Sequence, residues 1–75
     1  MPKLLTVTPR RFIRALERLG FRLHRASRGS HLVYVHPDGR RVVVPMHTSR
    51  AIPRGTLAAM LKDIDVTVEE LRELL

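Results

Sequence analysis

Two kinds of apolar spacing divide this 75-residue chain. Phe12, Ile13, Leu16 and Leu19 recur at three- and four-residue intervals, the spacing of one helix face. Thr8 ahead of them is a good N-cap, and Pro9 suits the first helical position. Val7 and Phe12 stand at staple positions around that cap. Gly20 can end the helix in a left-handed conformation. The pattern predicts a helix over residues 9–19.

The period then changes. From Phe21 to Ser27 apolar and polar residues alternate, with Phe21 and Leu23 against Arg22 and His24. A turn over Ser27 to Ser30 precedes a second strand, His31 to His36, rich in Val and Tyr. Pro37-Asp38-Gly39-Arg40 is a turn signal, because Pro presets φ and Gly accepts positive φ. Arg41 to Val44 makes a third strand that Pro45 ends or places at an edge. Met46 to Ile52 reads as loop, and Pro53 can open a second helix with Leu57, Met60, Leu61 and Ile64 as its buried stripe. Thr67 and Glu70 are spaced as a capping box for a short last helix, with Val68, Leu71, Leu74 and Leu75 apolar. The predicted fold is a small α+β domain in the order α-β-β-β-α, with a three-stranded antiparallel meander and a short C-terminal helix. A chain of this length makes one domain, residues 1–75, with a small core.

Charge narrows the partners. Residues 1–54 hold twelve Lys and Arg against two acids, Glu17 and Asp38, whereas residues 55–75 hold two against five. A basic body with an acidic end favours a polyanion, and nucleic acid is the usual one. The absence of cysteine excludes disulfides, thiolate metal sites and cysteine nucleophiles. No apolar run approaches the ~20 residues of a membrane span, and Met1 to Val7 is too short for a secretory signal. No membrane partner is therefore expected, and the chain reads as cytoplasmic. No His, Asp and Glu spacing suggests a metal site, and no Gly-rich phosphate loop is present, so no cofactor is expected.

The candidate chemistry gathers at Arg28-Gly29-Ser30-His31, where a histidine opens a strand beside a glycine and several arginines. Imidazole takes or gives a proton near neutral pH, and arginine holds phosphate. His31 is thus either a proton-transfer residue or a strand histidine held by its own hydrogen bonds. Arg25 and Arg28 are the nearest cations, the Gly29 amide can approach a phosphate oxygen, and Ser30 can donate to one. Arg40 lies near in sequence, and Arg54 opens the second helix, whose amides can hold an anion. His47, after Pro45, is the best second imidazole or else a loop-packing residue. His36, five positions from His31, falls on the opposite face of a regular strand, and His24 faces solvent. Arg10, Arg14 and Arg18 form a ridge on the first helix. Tyr34, Phe12 and Phe21 are expected in the core rather than as a base-stacking platform.

Five pieces in order resemble the HicA-type, or YcfA-like, toxin family. They are Gly20-Phe21, Arg28-Gly29-Ser30-His31, His36-Pro37-Asp38-Gly39, Val44-Pro45-Met46-His47 and Arg54-Gly55-Thr56-Leu57, spread over nearly the whole chain. Relatives often carry Gln in the stretch where this chain has Ala26 and Ser27, and a second polar residue where it has Leu32. The resemblance implies a fold similar to double-stranded-RNA-binding domains, with the helices on one face of the sheet. It also implies mRNA cleavage, arrested translation, a HicB-type antitoxin that covers the site, and His31 as the catalytic histidine; because the RNA 2′-hydroxyl is an internal nucleophile, such cleavage is expected to need no metal. The alternatives are a non-catalytic double-stranded-RNA-binding module and a protein-interaction domain whose basic face meets an acidic partner.

Overall fold

The computed structural model describes residues 6–27, 29, 31–46 and 50–75. Helix α1 spans Pro9–Leu19, strands β1, β2 and β3 span Arg22–Ala26, His31–Val35 and Arg41–Pro45, and helices α2 and α3 span Arg54–Asp63 and Val68–Leu74. The strands form one antiparallel sheet in the order β1-β2-β3. This is the predicted α+β domain.

Local sequence sets the helix ends. The Thr8 side chain accepts from the Arg11 N–H, Pro9 follows it, and Gly20 closes α1 at φ 103°. Val7 and Phe12 are both fully buried in the core, as a staple requires. At α3 the Thr67 and Glu70 side chains cap each other's backbone N–H groups. Pro53 is the N-cap of α2 rather than its first helical residue, and its cap has no side-chain hydrogen bond.

Tyr34 of β2 and Val42 and Val44 of β3 enter the core with Phe12, Ala15 and Leu16 of α1, Leu57, Met60 and Leu61 of α2, and Leu71 of α3. Leu32 packs against this cluster. All four strand residues share one face by the period-two rule, so the helices cover that face. Tyr34, Phe12 and Phe21 are buried, as expected. Ile52, read from sequence as a loop residue, is buried, and so is Val66, whereas Val68 is 40% exposed and adds little to the core.

The two long helices run in the same direction. Before them the Ile52 N–H donates to the Val7 carbonyl at 2.7 Å. At their far ends both meet the turn between β2 and β3. His36 Nε2 donates to the Leu19 carbonyl at 3.0 Å, and Arg40 Nη1 donates to the Ile64 carbonyl at 2.7 Å. The turn itself closes through the Gly39 N–H to the His36 carbonyl and the His36 N–H to the Arg40 carbonyl. β2 therefore stops at Val35, one residue short of the prediction, because His36 belongs to the turn. Phe21 lies against both side chains, with the His36 ring edge-on at 5.0 Å and the Arg40 guanidinium 5.2 Å from its centroid.

Two outcomes test this clamp. A Cβ at Gly20 would lie 3.0 Å from His36 Nε2, at a φ that L residues rarely adopt. Gly20→Ala is expected to lose about 1–3 kcal/mol of stability in urea unfolding. Asp38 accepts from the Arg40 backbone N–H at 3.0 Å and from the guanidinium at 2.8 Å, which holds its carboxyl below the usual range. A carboxylate whose pKa is lowered on folding contributes stability above its unfolded pKa and loses it as pH falls through the folded one. Asp38→Asn should therefore lower Tm at neutral pH, and the gap should close as the pH falls below the ordinary carboxylate range.

Candidate functional site

The helix-free face of the sheet holds the candidate site. The pairing places Arg22 across from Val35, Arg25 across from Val33, Val43 across from Val33, Pro45 across from His31 and Arg41 across from Val35. Residues paired directly share a face. Arg22, Arg25, Arg41 and His31 therefore stand on one surface around Val33, Val35 and Val43. No strand residue is acidic, so this surface is positive throughout. Val33 is 1% exposed and lies outside the main core cluster, between Arg25 and Val43 in register.

His31 is the first residue of β2 and is exposed. Its carbonyl accepts from the Ser27 N–H at 2.7 Å, which closes the hairpin from β1. Ser27 therefore stands opposite His31, and Arg25 stands diagonal to it. Diagonal neighbours lie about 7–8 Å apart, within reach of a long side chain. An imidazole and a guanidinium thus stand on one face within reach of a common group.

A bulge creates this juxtaposition. β1 pairs regularly at Leu23 and again at Arg25, with His24 as the extra residue between them. In an uninterrupted strand Arg25 would share the face of Phe21 and Leu23, which is the helix side. The bulge changes the phase, so Arg25 emerges beside Val33 and His31. His24 is exposed, as expected. β1 is shorter than predicted, since Phe21 precedes it and Ser27 follows it. Ser27 opposite His31 was not singled out from the sequence. The signal was present: a three-residue loop over 28–30 makes 27 and 31 its closing pair.

The other candidates separate. Gly29 has φ 65°, a left-handed conformation that favours glycine, and no described residue lies within 4 Å of where its Cβ would be. Arg28, Ser30 and His47 lie outside the described residues. Arg54 is the exposed first residue of α2. Arg40 lies at the opposite end of β2, about 15 Å away at the rise of a strand, and its guanidinium engages Asp38, Ile64 and Phe21. His36 lies at that end as well. The Asp38 N–H donates to its Nδ1 at 3.1 Å while Nε2 faces the Leu19 carbonyl, which fixes the neutral ring's tautomer. Tyr34 is buried on the helix side, where burial first and the Glu17 charge second push its hydroxyl pKa up. Arg18 Nη1 donates to the Leu74 carbonyl at 2.9 Å, which ties α1 to α3.

Among the described residues no three His, Asp or Glu side chains are grouped to hold a metal ion. No described helix is long and apolar enough to cross a membrane. No curated protein matches the chain. A comparison with protein-family models matches residues 9–66 to the HicA toxin of bacterial toxin–antitoxin systems. That span runs from the start of α1 to the end of α2 and includes every strand, His31 and the clamping turn. The chain therefore belongs to the HicA toxin family and is the toxin of a toxin–antitoxin pair, with an antitoxin as its partner.

Proposed function

We propose that this toxin is a metal-independent endoribonuclease that cleaves mRNA in the cytoplasm and so arrests translation. The observation that supports it is the exposed imidazole of His31 on a helix-free, acid-free sheet face, diagonal to Arg25. RNA carries its own nucleophile, the ribose 2′-hydroxyl. His31 removes that proton as the 2′-oxygen attacks the adjacent phosphorus. The phosphorus–5′-oxygen bond breaks, and the leaving oxygen takes a proton from the imidazolium or from water. The products are a 2′,3′-cyclic phosphate and a 5′-hydroxyl. Arg25 stabilises the anionic phosphorane, with Arg28, the Gly29 amide and Ser30 proposed from the motif as further phosphate donors.

Arg54 serves as a secondary phosphate contact and His47 as an accessory imidazole. The antitoxin is of the HicB type and silences the enzyme by covering the His31 face. RNA is held mainly by its phosphates, because Tyr34 and both phenylalanines are buried and offer no stacking platform.

His31→Ala should cut RNA cleavage by about 10²–10⁴-fold, the usual worth of a positioned acid–base group. Its Tm should change little, since the side chain is exposed. The assay is incubation of purified toxin with RNA in EDTA, with the product ends identified by mass spectrometry. Undiminished cleavage by the folded variant would overturn the assignment. Duplex RNA binding with no cleavage in any buffer would instead favour the non-catalytic module. Affinity for RNA should also fall steeply between low and high salt, as phosphate-based binding requires. A flat response would favour a protein-interaction surface.

A further inference from the structure

We propose that the free edge of β1 is the strand to which the antitoxin docks, by adding an extended segment with acidic residues on the His31 side and apolar residues on the helix side. The inference rests on the antitoxin partner that family membership supplies, and it stands independently of the cleavage chemistry.

β1 is an edge strand with β2 as its one neighbour among the described residues. Every residue from Arg22 to Ala26 is exposed. On its inner side β1 is exposed, with Leu23 54% accessible. There a groove of about 510 Å³ is lined by Glu17, Gly20, Phe21, Arg22 and Leu23. The Ser27 N–H points at β2, where it donates to His31. N–H directions alternate along an antiparallel ladder, so the Ala26 N–H and C=O point away from the sheet. An added strand finds there the main-chain groups it needs.

The two faces of this edge differ in charge, which selects the occupant. On the His31 side the added residues meet Arg22 and Arg25, with His24 exposed at the bulge between them and no acid on the strand. On the helix side they meet the exposed Leu23, with Glu17 and Arg22 of opposite charge both lining the groove. Acid is therefore favoured on the first side, where the charges are all positive, and an apolar residue suits Leu23 on the inner side. A second copy pairing through the same edge would set Arg22 and Arg25 against their own kind, which disfavours self-pairing. The β3 edge is the weaker candidate. Pro45 at its end has no N–H to offer. An acidic residue arriving opposite Arg25 also neutralises the cation diagonal to His31.

Amide hydrogen exchange on the toxin alone and on the toxin–antitoxin complex tests this. The Ala26 amide is expected to exchange freely in the toxin and to become protected in the complex. Ala26→Pro, which removes that donor at an edge position where proline is tolerated, should weaken antitoxin binding by about tenfold or more. Arg22→Glu provides a variant with no backbone change, and it should weaken binding by a similar factor while keeping the wild-type Tm. Equal Ala26 exchange with and without antitoxin would overturn the proposal, as would wild-type affinity of Arg22→Glu. Ala26 protection that grows with toxin concentration alone would overturn it in favour of a second copy. None of these readouts uses RNA, so loss of the cleavage reading leaves the outcome legible.

Discussion

Both long helices end on the side chains of a single turn, and the rest of the fold is arranged around that junction. A helix leaves its last carbonyls without internal partners. Here His36 takes one carbonyl of α1 and Arg40 takes one beyond α2. The two side chains reach out from opposite sides of a four-residue turn that Pro37 and Gly39 make possible. Phe21 seals the space between them, and Gly20 lets the backbone pass beneath the imidazole. With the helices held in this way, their apolar stripes meet one face of the sheet, and the opposite face is left without a helix.

This division of labour explains how three arginines and a histidine can share a surface in so small a protein. The helices and the inner sheet face supply the core, so the outer face carries no packing duty except at Val33. Its residues are free to be cationic. The cost of gathering like charges falls as they lie in water, where effective interactions are weak. A polyanion or an acidic protein segment relieves that repulsion, and both classes of partner suit a toxin whose activity is controlled by an antitoxin.

Much of the fold was legible because its signals are local. Thr8 with Pro9, Gly20, the Pro37–Gly39 turn and the Thr67–Glu70 pair each act within four residues. What sequence spacing concealed was tertiary. Arg40 was read as a phosphate ligand, and its hydrogen bond to the carbonyl of Ile64, 24 positions away, has no signal in sequence spacing. His36 was read as a strand residue because its reach to Leu19 is invisible in one dimension. Val68 has the spacing of the apolar face but not its burial, since α3 docks mainly through Leu71. At the site, His31 stood out from its motif, whereas Arg25 reached its face through an irregularity at His24 that strict alternation contradicts. Arg28, Ser30 and His47 lie outside the described residues and stay within the proposed site on sequence grounds.

The shared direction of α1 and α2 has an electrical consequence. Aligned peptide units leave roughly half a positive charge at the start of each helix and half a negative charge at its finish. Antiparallel neighbours cancel these fields, whereas this pair adds them. The negative poles coincide with the guanidinium of Arg40, which offsets them. The positive poles have no acidic residue in either first turn to offset them. They lie toward the sheet end where β2 begins, so the backbone itself polarises the molecule along its length, with its positive pole at the end that carries His31.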